Sequence, residues 1–247
     1  MKHRFLPLLF CTSLVFFFSS CGPSDQKTGS DAKSPDSTGA VTPPAPAAAA
    51  SNIVTTPTNM LVILHKVANF DKWKTLYDGH DTARVANGLH NYVIGRGVED
   101  SNNVLVALKM DDVDKAKAFA NNPSLKQTMQ KGGVQGKPQV SFITMVWQDT
   151  SRTNANIRSR TIFMVKNFDD WRKVFEQQRQ VRMDNGLSDR AFGYDLDNHN
   201  KVTLVLTVND TAKAKAFWKS DQLKQLRAAS GMIGVPERYV YRVAQRY

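Results

Sequence analysis

Cysteine is almost missing from this sequence of 247 residues, which contains only Cys11 and Cys21. Cys11 lies inside an apolar stretch near the start of the chain, and Cys21 follows the small residues that end this stretch. If the stretch is removed as a leader, Cys21 is left without a disulfide partner. A disulfide-stabilised fold and a cysteine nucleophile elsewhere in the chain are therefore excluded.

Long hydrophobic runs are missing too. The apolar stretch from Phe5 to Phe18 has fourteen residues, whereas a membrane-spanning helix needs about twenty. A short basic start and small residues after the stretch are typical of a secretory signal. Its end, Phe18-Ser19-Ser20-Cys21, resembles the lipobox of bacterial lipoproteins. The resemblance implies a lipid on Cys21 that attaches the protein to a membrane of the bacterial cell envelope, facing the periplasm or the surface. An ordinary signal peptide cut elsewhere is the alternative.

Motifs for nucleotide binding, hydrolysis and metal binding are also missing. Gly133–Lys137 is only superficially like a phosphate-binding loop, because Pro138 stands where Ser or Thr is needed. A serine nucleophile elbow does not occur. His80 and Arg84 share a predicted helix face, but no acidic residue joins them at a spacing suited to metal ligands. We therefore expect no bound metal and no other cofactor.

Runs of like charge are absent, although the net charge is +11. Lys and Arg exceed Asp and Glu more strongly in the second half of the chain, where they are scattered among acidic residues. A solvated surface of mixed sign is the favoured interpretation, and attraction to anionic lipid, cell-wall polymer or an acidic ligand is the alternative. Nucleic acid is a poor partner for an exported lipoprotein.

The folded part of the chain is a tandem duplication. Shifted by 98 residues, the sequence matches itself without a gap and has 25 identities in the 72 positions that begin at Val67 and Val165. Asn69–Trp73 matches Asn167–Trp171 in this alignment. The predicted organisation is a signal peptide (1–20), a disordered tether rich in Ser, Thr, Pro and Ala (21–58), a first half (59–149), a linker (150–156) and a second half (157–247).

Each copy reads as β-α-β-β-α-β from its hydrophobic periodicity and its capping residues. Right-handed crossovers place both helices on one face of such a sheet, so the strands should be polar on the other face. Val104–Leu108 and Val202–Leu206 are instead apolar, or nearly so, on both faces. The sequence therefore predicts that each copy covers the second face of the other.

These patterns resemble the dimeric α/β-barrel superfamily, which includes small proteins similar to antibiotic-biosynthesis monooxygenases. The shared features are His65-Lys66-Val67, Asn69–Trp73, a helix that ends at Asn87-Gly88-Leu89, and Asp112–Phe119. The resemblance covers Met60–Trp147 and Arg160–Val243. It implies an α+β fold in which two tandem ferredoxin-like βαββαβ units pack sheet to sheet as an intrachain barrel with a pocket inside. The superfamily contains cofactor-free oxygenases, isomerases and haem proteins, so the fold does not imply an activity.

Candidate site residues come from polar positions at which the two copies differ. His65 corresponds to Phe163, Tyr92 to Arg190, and Arg96 to Tyr194. The predicted ligand-binding residues are His65, Arg84, Tyr92, Arg96, Arg182 and Tyr194. His65 and His80 are the candidates for a general base. A satisfied, partly buried histidine is the favoured alternative for His65, and a structural role is favoured for Arg84 and Arg182.

Three functions fit the sequence, and whether the protein is an enzyme stays open. The leading hypothesis is a membrane-anchored envelope lipoprotein that is monomeric, with an internal pseudo-dimer, and that binds a small, partly apolar or anionic molecule in the barrel. The alternative is a cofactor-independent monooxygenase or an isomerase-like enzyme. A structural or stress-related envelope protein is the second alternative.

Overall fold

The computed structural model describes residues 52–247. The predicted signal peptide, Cys21 and nearly all of the predicted tether lie outside the described residues. The strands are β1 (Ile53–Val54), β2 (Thr58–Val67), β3 (Leu89–Gly97), β4 (Asn103–Met110), β5 (Val134–Asp149), β6 (Ile157–Val165), β7 (Leu187–Asp195), β8 (Asn198–Val208) and β9 (Met232–Arg246). The helices are α1 (Phe70–Gly79), α2 (Asp81–Ala86), α3 (Val113–Ala120), α4 (Pro123–Lys131), α5 (Phe168–Gln177), α6 (Arg179–Asp184), α7 (Thr211–Lys219) and α8 (Asp221–Ala229).

The two copies have the same ferredoxin-like topology, as predicted. The strand order is β5-β2-β4-β3 in the first half and β9-β6-β8-β7 in the second, and all the pairings are antiparallel. The first helix of each copy is broken in two, at His80 and at Gln178, where the sequence predicted one continuous helix. Asn87 and Asn185 cap the C-terminal ends of α2 and α6, and Gly88 and Gly186 follow them with φ angles of 67° and 72°, which favour glycine.

Both copies begin their first helix in the same way. The side chain of Asn69 accepts a hydrogen bond from the Lys72 backbone N–H at 2.9 Å, and Asn167 caps α5 likewise. One turn later, Trp73 and Trp171 are buried against the sheet. Capping and burial of one aromatic face thus explain why this stretch of sequence occurs twice.

The sheets of the two halves join edge to edge into a closed barrel. β3 pairs with β9, and β5 pairs with β7, so that eight strands form a continuous antiparallel ring. The short β1 pairs with β5 in addition. The predicted intrachain α/β barrel is confirmed, whereas the predicted disordered tether extended too far, because Ile53 and Val54 belong to the sheet.

Side chains on the strands alternate between the barrel interior and the helices outside, which explains why the strands are apolar on both faces. In β2, Met60 and Val62 join an interior cluster with Tyr241, whereas Leu61 and Ile63 pack under the helices of the first half. A separate cluster lies under the helices of the second half. Within residues 52–247, no helix has the length and apolar character needed to cross a bilayer.

Candidate functional site

The barrel contains a cavity of about 330 Å³ that both halves line. Its wall from the first half is mainly apolar and includes the buried side chains of Met60, Val62, Leu105, Ala107 and Met145. These residues come from three adjacent strands, β5, β2 and β4. The first half therefore offers a continuous apolar surface to any molecule in the cavity.

The wall from the second half carries two buried arginines, Arg158 and Arg160, which we call the inner pair. Their side chains line the same cavity and their residues are only 2% and 5% exposed. Burial lowers the pKa of each guanidinium to about 10, so both remain charged at neutral pH. Burying a charge is costly unless it is paired, so the inner pair indicates a site for a negatively charged group.

The hydrogen bonds of the inner pair are incomplete. Arg158 Nη1 donates to the carbonyl oxygens of Ala155 and Ile157, and Arg160 Nη2 donates to Ser141 Oγ at 3.1 Å. In the part of the chain that the structure describes, Arg158 Nη2 and Arg160 Nε are buried and have no acceptor. Buried donors of this kind are normally satisfied, so the protein compensates the two guanidinium groups only in part.

Tyr241 lies beside the inner pair at the centre of the interior cluster. It pairs with Arg158 in the strand register, and burial raises the pKa of its hydroxyl, which therefore stays protonated. A Cβ atom on Gly95 would overlap the ring of Tyr241. Glycine at position 95 thus makes room for the ring, and Tyr241 adds a neutral hydroxyl group to the charged wall.

A second group of cations, Lys109, Arg190 and Arg246, lines the same cavity, and we call it the mouth cluster. Lys109 and Arg246 are exposed, which marks this end of the cavity as its opening. Arg190 is the extra residue of a β-bulge in β7, and Tyr92 is the extra residue of the equivalent bulge in β3. Bulges redirect side chains, and here both bulge residues point into the cavity.

Among the described residues, the Lys and Arg side chains that line the cavity have no acidic side chain among them. Lys109, the inner pair, Arg190 and Arg246 line it, and within residues 52–247 no Asp or Glu is among the lining residues. In a confined space with low-dielectric walls, such an arrangement concentrates a positive field. The cavity is therefore suited to an anionic molecule with an apolar face.

Sequence reasoning missed the inner pair and the second-half cations of the mouth cluster. The signal was present, because the shift of 98 residues places Arg158 over Met60 and Arg160 over Val62. The same shift places Arg246 over Gln148. Comparison of charge at matched strand positions, rather than a search for histidine and tyrosine, would have identified the basic wall.

Of the six predicted ligand-binding residues, Tyr92 alone lines the barrel cavity. The expectation that His65 points into the barrel is wrong, because alternation along β2 turns it towards the helices. There it lies 5.4 Å from the Trp73 ring and lines a small gap of about 60 Å³. His80, the other candidate base, lines this gap and packs near Phe119. The structure therefore brings neither histidine to the barrel interior.

Arg84 and Arg182 occupy equivalent places under the helices, outside the barrel. Arg84 stacks on the Tyr77 ring and pairs with Asp81. Arg182 stacks on the Phe175 ring, and two of its nitrogens donate to Asp189 at 2.6 and 2.7 Å. The contacts of Arg182 hold α6 onto β7, whereas those of Arg84 join α2 to α1.

Arg96 and Tyr194 also lie outside the barrel cavity. Arg96 lies over the Phe70 ring and donates from Nε to the Ser101 carbonyl oxygen at 2.8 Å. Tyr194 packs edge-on against Phe168 and His199. Arg96 and Tyr194 occupy matched positions and differ between the copies, as the sequence indicated. Both residues, however, pack against the first helix of their own half.

Replacement of His65 with phenylalanine is expected to remove part of the pH dependence of stability. Both ring nitrogens of His65 are buried without a partner in the described chain, and burial lowers its pKa from 6.5 to about 4. The His65 imidazole therefore binds a proton more readily in the unfolded chain than in the folded one. As pH decreases from 6.5 to 4, the free energy of unfolding should fall by about 3 kcal/mol. His65→Phe, which copies Phe163, should lack this contribution.

Urea unfolding at pH 7.5 and pH 4.5 measures the effect. Replacement of the exposed His90 with glutamine is the control and should leave most of the pH dependence in place. An unchanged pH dependence in His65→Phe would show that His65 does not titrate between the folded and unfolded states.

Comparisons with known proteins identify the fold and leave the activity open. No protein-family model and no curated protein sequence matches the chain. A solved structure named "Putative monooxygenase", from Fusobacterium nucleatum, is 14% identical, with a TM-score of 0.50 over 76% of this chain and 93% of its own. An anthrone oxidase-like protein is 11% identical, with a TM-score of 0.54 over 79% of this chain and 95% of its own. At this identity, the likeness shows the fold alone.

Proposed function

We propose that this duplicated α/β barrel binds a small amphipathic anion in its interior. The inner pair carries the proposal, because two buried and incompletely paired arginines line the same cavity as an apolar wall. A ligand with one anionic edge and one apolar face would satisfy Arg158 and Arg160 and cover Met60 and Val62. The ligand is thus asymmetric across its width, as the cavity is.

Fatty-acid-sized probes test this proposal. Octanoate should raise the melting temperature of the purified protein, whereas octanol and octylamine, which have the same chain length, should have little effect. The reason is that the arginines of the cavity attract a negatively charged ligand and repel a positively charged one. Equal stabilisation by octanoate and octanol would show that the arginines do not select the ligand.

The envelope location is part of the same proposal. The lipobox-like segment before Cys21 supports a lipid anchor, which would hold the barrel at a membrane surface and place its ligand in the envelope. Mass spectrometry of protein extracted from membranes is expected to show an acylated Cys21. A soluble, unmodified mature form would contradict the anchor and would leave the anion site unaffected.

Oxidation of a bound phenolic anion is the second candidate function. The names of the two structural neighbours, which refer to a monooxygenase and an anthrone oxidase, favour it. Within residues 52–247, however, the cavity lining contains no histidine, aspartate or glutamate side chain that would act as a base. We therefore rank binding first, and oxygen uptake with an activated phenol that is lost in Arg160→Val would reverse this order.

A further inference from the structure

The cations of the barrel lie at two depths. In β9, Tyr241 pairs with Arg158 of the inner pair, and Arg246 lies five residues further along the same strand. That is roughly 16 Å of extended chain. Within the described chain, Arg160 interacts with Tyr241 and Glu237 and with no cation of the mouth cluster, whereas Arg158, whose pKa is lowered mainly by burial, is also repelled by Arg190 and Arg246. The positive charge therefore extends along the cavity from Arg160 inside the barrel, past Arg158, to the mouth cluster at its opening.

The mouth cluster is not neutralised by the protein. Burial lowers the pKa of Arg190, the charge of Arg246 lowers it further, and Asp149 offsets this only in part. Arg190 Nη1 donates to the Ser151 carbonyl oxygen at 2.7 Å. Lys109 lies 5.1 Å from the centre of the Tyr92 ring. In the described chain, none of the three cations forms an ion pair within 4.0 Å.

Contact with solvent water does not fully compensate the charges of the mouth cluster. Arg190 is only 8% exposed although it lies at the mouth, so its charge has lost most of its water. A β-bulge directs it towards the cavity, where the equivalent bulge of the first half places the neutral Tyr92. Arg246 likewise has the neutral counterpart Gln148, which is buried at the same end. The second half is thus basic at both depths, and the first half is neutral at these matched positions.

We infer that the ligand of the barrel carries two anionic groups, one held by Arg158 and Arg160 and the other by Arg190, Arg246 and Lys109. The inference rests on the proposed function and narrows it to elongated dianions with an apolar middle. That middle would lie along Val62, Leu105 and Met145. Dicarboxylates are the simplest molecules of this class, and each of their ends can accept bidentate hydrogen bonds from arginine.

Matched probes test the second anionic group. Octanedioate should bind roughly tenfold more tightly than octanoate, as measured by titration calorimetry at low ionic strength, because only octanedioate reaches both groups of cations. Butanedioate is too short to bridge them and should lose this advantage. The full folded chain without its leader is the material for all titrations.

The matched positions of the two halves indicate which substitutions test the mouth cluster. Arg190→Tyr and Arg246→Gln together give the mouth the residues of the first half, and they should reduce the ratio of the two affinities to about one while octanoate still binds. Arg160→Val should weaken both probes. Exposed Arg179 lines no part of the cavity, and Arg179→Met should leave both affinities and their ratio unchanged.

The outcomes separate this inference from the function on which it rests. Equal affinity of the unaltered protein for octanoate and octanedioate would overturn the second anionic group and leave the proposed function standing. An affinity ratio that survives both mouth substitutions would also overturn it. If neither probe binds, the proposed function fails and this inference fails with it.

Discussion

Arg160→Val is expected to reduce octanoate affinity at least about thirtyfold and at the same time to stabilise the empty protein. Arg160 is 5% exposed, lacks a partner for Nε and has no ion pair in the described chain. Removal of one partner from a buried charge pair costs about 2–5 kcal/mol of binding free energy. Replacement of a poorly compensated buried charge by an apolar side chain is often stabilising by about 1–4 kcal/mol.

Two measurements check this pair of effects. Calorimetric titration gives the affinity, and urea unfolding without ligand gives the stability. Valine is the residue that the first half carries at the matched position, Val62, so the barrel already accommodates it on the equivalent strand. A variant that is less stable and still binds octanoate would show that Arg160 serves the fold rather than the ligand.

Asp189→Ala is expected to lower the free energy of unfolding by about 3–5 kcal/mol, the cost of leaving a buried charge unpaired. Asp189 accepts two hydrogen bonds from Arg182, and the two side chains are 8% and 7% exposed. Without the carboxylate, Arg182 keeps its stacking on Phe175 and its bond to the Phe175 carbonyl oxygen. Its charge would then have no counterion in the second half's core.

The first half provides the control for this prediction. Arg84 pairs with Asp81, whose side chain is 52% exposed, and the contact spans one turn of the helix. Asp81→Ala should therefore cost less than about 1 kcal/mol, as is usual for exposed ion pairs. Similar losses for the two alanine variants, measured by urea unfolding under identical conditions, would contradict the difference in burial on which both expectations depend.

The architecture was predictable because the duplication and the strand pattern constrain it together. Val104–Leu108 is apolar on both faces, so both faces must be buried. The helices of the same copy bury one face, and the second copy of the unit can bury the other. Asn69 and Trp73, repeated at Asn167 and Trp171, mark the same capped helix twice. These signals depend on local spacing, which the sequence displays directly.

The site was less predictable because it depends on which alternate residues of each strand face the barrel interior. In Leu61–Val67 every second residue faces the barrel, but apolar side chains on both faces hide which set faces inward. His65 was therefore assigned to the wrong side. The bulges that turn Tyr92 and Arg190 inward shift this alternation within a strand, and no residue pattern in the sequence predicts them.

The joins between β3 and β9 and between β5 and β7 have a consequence for how the protein behaves at low abundance. A barrel built from two separate chains comes apart on dilution, because its stability depends on the protomer concentration. Here both halves belong to one chain, so each always has its partner at a fixed effective concentration. A single copy is therefore a complete barrel with one apolar and one basic wall, however few copies are present.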